Sequence, residues 1–210
     1  NGEAGDFSVR ENSSCIDGAS DGGLVGFLGA GCGPINTGPV WYVSELGNDS
    51  SDGSVETPFT SIQKAIDVSA NGDTIRLFAG EYIESFDFLS KQIVLESRAE
   101  ELDNDTIASQ TIISVGPLGG SCIELIGQDA ANVEIKNMTF SGGQSQIGGG
   151  IYIENSSPKL SGVFVKNNTA EVGGGMYINQ SNVELVDIII FNNGANFGGG
   201  VYATGSSVNI

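Results

Sequence analysis

The chain has 210 residues, 32 of them glycine, with 26 acidic against 8 basic side chains, a net charge of −18 and no histidine. This is length for one domain with a sizeable core, or one and a half. The charge argues against nucleic acid and anionic membrane as partners, since both need clustered Lys and Arg, and the missing histidine removes the usual general base near neutral pH.

In chain order, Cys15 and Cys32 flank a glycine-rich turn. Two readings stay open: a disulfide, which would suit an oxidising extracellular setting, or small buried thiols like the third cysteine, Cys122. Asn1 is not a methionine, so the native N-terminus is expected upstream or removed. PINTGPV at 34–40 reads as a linker. Trp41–Ser44 reads as a strand and Gly47–Gly53 as a Gly/Asp-rich loop. A short amphipathic helix follows, with Ile62, Ala65, Ile66 and Ser69 on one face. No segment after Asn71 carries a helical period, and no window approaches 18 apolar residues, so no membrane insertion is expected in this segment. Glu100, Glu101, Asp103 and Asp105 form an acidic run that reads as a solvated loop.

From Gly148 the chain repeats. GGGIYIENSSPKLSGVFVKNNTAEV (148–172) is followed by GGGMYINQSNVELVDIIIFNNGANF (173–197) and GGGVYATGSSVNI (198–210), with a divergent copy over 119–147. Aligned copies keep residue class: Ile151, Met176 and Val201; Tyr152, Tyr177 and Tyr202; Leu160, Leu185 and Ile210; Phe140, Val165 and Ile190; Asn168 and Asn193. Apolar residues alternate within each copy, which is strand periodicity. Three short strands in 25 residues suit one lap of a parallel β-helix, whereas a four-strand propeller blade needs about 40 residues. Aligned residues then stack about 4.8 Å apart. Aliphatics fill the inside, Gly turns the corners and Asn168 and Asn193 form a structural ladder.

Three resemblances follow from these motifs. GGGIY, GGGMY and GGGVY, with Val165-x-x-Asn168 and Ile190-x-x-Asn193, resemble the GGA(I/V/L) and FxxN motifs of polymorphic outer-membrane and autotransporter-like surface proteins. In the 119–147 copy Phe140 supplies the Phe, but Gly143 stands where the motif has Asn. Residues 41–84 resemble the opening module of pectin-lyase-like right-handed parallel β-helices. That implies an all-β solenoid whose short helix caps its first layer. Ser14-Cys15-Ile16-Asp17-Gly18 and Leu28-Gly29-Ala30 resemble the closing segment of such a module. The implied layout is a closing segment at 1–33, the linker at 34–40, and a cap with first coils at 41–210, incomplete at the C-terminus.

Enzymes of the lyase branch use clustered carboxylates for Ca²⁺ with an Arg or Lys as base. No such cluster stands in the repeats, so no catalytic residue is assigned. The expected role is an extracellular or cell-surface structural and adhesive solenoid. Its expected partners are copies of itself, head to tail, or cell-surface glycans. The alternatives are a truncated polysaccharide lyase or hydrolase and a non-catalytic carbohydrate-binding module. Tyr152, Tyr177 and Tyr202 should form an outward ladder, either a sugar platform or a self-stacked stiffener. Asp49 and Asp52 offer oxygen ligands for Ca²⁺ without the spacing of a calcium loop; a solvated turn is the other reading. Lys159 should pair with Glu184 one coil on.

Overall fold

Alternation of apolar and polar residues sets the strands, and the structure, a computed structural model, describes residues 40–99, 101, 102, 104, 106–127 and 132–210. The first part holds β1 (Val40–Val43), α1 (Ile62–Val68), β2 (Thr74–Leu77), β3 (Gly80–Ile83), β4 (Val94–Ser97), α2 (Thr106–Gln110) and β5 (Thr111–Ser114). Next come β6 (Ile123–Ile126), β7 (Glu134–Lys136), β8 (Thr139–Ser141), β9 (Ile151–Glu154), β10 (Lys159–Ser161) and β11 (Phe164–Lys166). The last are β12 (Met176–Asn179), β13 (Asn182–Val186), β14 (Ile189–Phe191), β15 (Val201–Thr204) and β16 (Ser207–Asn209). The closing segment and the Cys15–Cys32 pairing expected for 1–33 lie outside the described residues, as do the linker residues before Val40.

The strands form three sheets in the orders β1-β2-β4-β7-β10-β13-β16, β14-β11-β8-β5-β3 and β15-β12-β9-β6. Neighbouring strands run parallel, because each lap returns to the start of the next in the same direction. The fold is therefore an all-β parallel β-helix. Ile151, Met176 and Val201 pair in register 25 residues apart, and Phe140, Val165 and Ile190 do the same. The lap before is longer, since Ile123 pairs with Ile151.

Inward side chains make one continuous core. Ile135, Phe140, Ile151, Ile153, Leu160, Val165, Met176 and Ile178 are all fully buried. Removing this much apolar surface from water is the main stabilising term. The corner glycines have two separate causes. Gly148, Gly173 and Gly198 sit at φ of +64°, +67° and +65°, a region that side chains avoid. The third glycine is a matter of space: a Cβ on Gly150 would lie 2.5 Å from the carbonyl oxygen of Gly175 in the next coil.

Helix α1 follows from its sequence. Ser61 caps it, accepting from the Lys64 N–H, and Ile62, Ala65 and Ile66 are buried in the core. Ser69 ends it, its hydroxyl donating to the Ile66 carbonyl at 2.8 Å. α2 departs from the expectation of no helix after Asn71. It is five residues long, too short for a period to register. Ile107 and Ala108 anchor it in a small satellite cluster with Ala99.

Candidate functional site

The outer face of the β6-β9-β12-β15 sheet carries the tyrosine column. Register places Glu124, Tyr152, Tyr177 and Tyr202 in one row and Ile126, Glu154, Asn179 and Thr204 in the next. Tyr152 and Tyr177 have ring centroids 5.4 Å apart with planes 7° from parallel; Tyr177 and Tyr202 are 5.7 Å and 1°. At these separations coplanar rings would collide, so the rings overlap face to face with an offset. Each face of Tyr177 is covered by a neighbouring ring. The row thus presents ring edges and hydroxyls outward.

Glu154 ties the two rows together. It accepts from the Tyr152 hydroxyl at 2.8 Å and from the Asn179 amide at 3.0 Å. Burial, then the hydrogen bond and charge of Glu154, push the Tyr152 hydroxyl up to about 12. Sequence reasoning missed this carboxylate, because nothing in the alternation marks the residue two places after a tyrosine as its acceptor.

The asparagine ladder runs at a corner inside the coil. Asn168 is fully buried. Its Oδ1 accepts the Gly143 N–H at 2.8 Å, and its Nδ2 donates to the Phe140 carbonyl at 3.1 Å and to Asn193 Oδ1 at 3.0 Å. Asn193 repeats the scheme one coil on, accepting the Asn168 N–H at 3.0 Å and donating to the Val165 carbonyl at 2.8 Å. Buried backbone groups that the corner removes from strand pairing are satisfied this way. Gly143 donates the ladder's first N–H and carries no side chain, since a Cβ there would strike the Gly149 carbonyl. Cys122 packs beside this ladder, its sulfur 3.5 Å from Asn168 Oδ1. Burial pushes its thiol up to about 12, which leaves it protonated and unreactive at neutral pH.

The Asp49/Asp52 loop spends its carboxylates on itself. Asp49 accepts from the N–H groups of Thr60 and Ser61 at 2.8 and 2.9 Å and from the Ser61 hydroxyl at 2.8 Å. Burial acts to raise its pKa, but these bonds and the charge of Lys64 outweigh it and hold the group below its ordinary value. Asp52 accepts from the Ser54 N–H at 3.1 Å and from the Thr57 hydroxyl at 2.5 Å. No group of three or more metal-ligating side chains is assembled among the described residues.

Charge concentrates on the seven-stranded sheet. Arg76 meets Glu96 at 2.6 Å, and Lys136 lies 3.9 Å from Glu96 and 3.7 Å from Glu134. Lys159 bridges Glu134 at 3.8 Å and Glu184 at 3.3 Å, the last being the expected pair. Cations alternate with carboxylates down this face, so the ladder is electrostatically closed. The exposed Lys159 pairs stabilise by about 0–1 kcal/mol each, whereas Glu96, between Arg76 and Lys136, is buried.

The model of one protein family, described as a protein of unknown function (DUF1565), matches residues 45–208. That family is associated with parallel β-helix repeats. No curated protein and no solved structure matches the chain.

Proposed function

We propose, on the premise that this chain belongs to the DUF1565 family, that it is a structural and adhesive β-solenoid of the cell surface whose coils stack head to tail on other copies. The glycine triplets carry this reading. In the triplets at 148 and 173, a Cβ on the second or third glycine would meet a carbonyl of the following coil, as Gly149 does at 2.7 Å from the Gly174 oxygen. In the last triplet the nearest atom to such a Cβ is 3.3 Å away at Gly199 and 3.6 Å at Gly200. Glycine is thus not demanded there by a contact within this coil, and one more coil of the same geometry, continuing this polypeptide or belonging to another copy, would use the space. β14, β15 and β16 are the outermost strands of their three sheets among the described residues, and Phe197 and Val201 beside them are exposed. An open strand edge is a template for adding strands. A head-to-tail contact that does not close gives a filament.

The resemblances to autotransporter-like and pectin-lyase-like modules, with their right-handed coil, support an extracellular setting. Cell-surface glycans are the second proposed partner. They would meet the hydroxyl and amide edge of Tyr152, Tyr177, Tyr202 and Asn179 instead of the ring faces.

Sedimentation of the chain over rising concentration, with electron microscopy of the product, tests the stacking. The native chain should form elongated assemblies, and Gly200→Val should stay monomeric with an unchanged melting curve, since its Cβ has room within its own coil. A native chain that stays monomeric throughout, or a Gly200→Val variant that assembles equally well, would overturn the reading. Turnover of a uronic-acid polymer by the native chain would replace it with a polysaccharide lyase.

A further inference from the structure

β6 is the terminal strand of the four-stranded sheet, on the side opposite β15. The reason lies in the preceding laps. Between β3 and β4 the chain runs as an irregular stretch instead of a fifth strand, and between β1 and β2 the corresponding stretch holds α1. The Ile123 N–H donates toward β9, to the Gly150 carbonyl at 3.2 Å. In a parallel ladder the N–H and C=O of one residue point to the same side, and successive residues alternate. Ile123 and Leu125 therefore face β9, and the backbone groups of Glu124 and Ile126 face the open edge. No strand among the described residues pairs with that edge.

The edge borders a cleft of 720 Å³. Its lining combines three carboxylates, from Glu84, Asp87 and Glu124, with apolar surface from Ile83, Phe86 and Ile126. Among the described residues no lysine or arginine lines it. Ile83 and Ile126 are 60% and 43% exposed, so apolar surface is available beside the free backbone groups. Glu84 already accepts the Ile62 N–H at 2.7 Å, whereas Glu124 stands on the exposed face of β6.

We propose that this cleft docks an extended segment of a partner protein in which basic and apolar side chains follow one another on one face, two residues apart, the segment adding as a strand along β6. The backbone edge supplies the hydrogen bonds, and successive side chains on that face meet Glu124 and Ile126, which both stand on the exposed face of β6. This is how strand addition gains affinity from main chain and specificity from side chains. Charge complementarity selects a basic segment, and the net charge of −18 steers it toward the surface. Among the described residues no basic side chain reaches the cleft, so the complementary charge is left to a partner.

The test is fluorescence anisotropy with a labelled Lys-Ser-Val-Ser-Lys-Ser-Val peptide, read together with amide hydrogen exchange. The peptide should bind saturably, and Glu124→Lys and Ile126→Lys should each weaken it at least about tenfold without changing the circular dichroism spectrum. The amides of Glu124 and Ile126 should exchange several-fold more slowly in the complex. A Glu-Ser-Val-Ser-Glu-Ser-Val peptide or one N-methylated on its backbone should not bind. Failure of the Lys-Ser-Val peptide to bind overturns the proposal. So does binding that leaves both amides unprotected, that spermidine fully displaces, or that Glu124→Lys leaves intact. None of these outcomes depends on whether copies stack at the other end.

Discussion

Replacing Asn168 by Ala should be among the most damaging single changes in the repeat region. The substitution removes the acceptor for the Gly143 N–H and the donor to the Phe140 carbonyl, at a position with no access to water. An orphaned buried backbone group costs about 1–3 kcal/mol, so two cost about 2–6 kcal/mol. For a chain of this size that lowers the melting temperature by about 4–24 °C. Asn193→Ala removes the same kinds of bond at a half-buried position where water can substitute, so it should cost less than half as much. Asn168→Asp adds a sign. The second carboxylate oxygen would face the Phe140 carbonyl and Asn193 Oδ1, and burial disfavours the charge, so the folded pKa rises above the unfolded value. Stability of that variant is then fully present below the unfolded carboxylate pKa, where the protonated group still donates to Phe140. It is lost as pH rises through the folded pKa. Urea denaturation followed by circular dichroism at pH 4 and pH 7 should show the deficit of Asn168→Asp growing with pH while that of Asn168→Ala stays flat. Equal costs at Asn168 and Asn193, or a flat profile for the Asp variant, would refute the ladder as the satisfier of these backbone groups.

Tyr177→Ala removes two stacked contacts worth about 0.5–1.5 kcal/mol each, so thermal melts should show a loss of about 1–3 kcal/mol. Glycan-array binding should fall for both Tyr177→Phe and Tyr202→Phe, since the sugar would meet the hydroxyl edge of the row, and unchanged binding by both variants would refute that contact. Asp49→Ala should lower stability at pH 6 on the order of 1 kcal/mol by removing the bonds to Thr60 and Ser61. Because the Asp49 pKa is depressed, its contribution is present above the unfolded carboxylate value and is lost as pH falls through the folded one, so melts at pH 3 should bring variant and native chain together. Millimolar Ca²⁺ should leave the native melting temperature unchanged, and a rise of several degrees would return the loop to a calcium role. Burial raises the Glu84 pKa against the opposing bonds from Ile62 and Gln63, so its contribution is largest below the unfolded value and falls as pH rises through the folded one. Glu84→Gln should therefore gain on the native chain between pH 4 and pH 7 in urea titrations.

The repeat was legible because each coil writes the same physical demand in the same column. Ile151, Met176 and Val201 are inward, the tyrosines are outward, and Asn168 and Asn193 recur where the corner needs an amide. The buried face of α1 was legible for a similar reason, since Ile62, Ala65 and Ile66 have helical spacing. The charge ladder of the early coils was not. Arg76 pairs with Glu96, and Glu96 with Lys136, across laps of unequal length, so no fixed offset brings them together on paper. The tyrosine column was visible as a row, but its ring orientation was not: alternation tells which side a residue faces and leaves its side-chain torsions open. The cleft was invisible for a deeper reason. It is made by the absence of a strand beside β6, and an absent strand leaves no motif.

That contrast bears on where such a fold can do anything beyond standing. Where the lap is strictly 25 residues, each coil satisfies the one before it: Asn193 answers Asn168, Ser181 accepts the Ser156 N–H and Ser206 accepts that of Ser181, and tyrosine covers tyrosine. Regular repetition consumes the polar groups and apolar faces that recognition requires. Groups remain unspent where regularity stops. One such place is the edge of β6, where the earlier laps supply no fifth strand to the sheet among the described residues. That is a backbone edge beside an acidic cleft, so it favours a partner that brings a strand and basic side chains of its own.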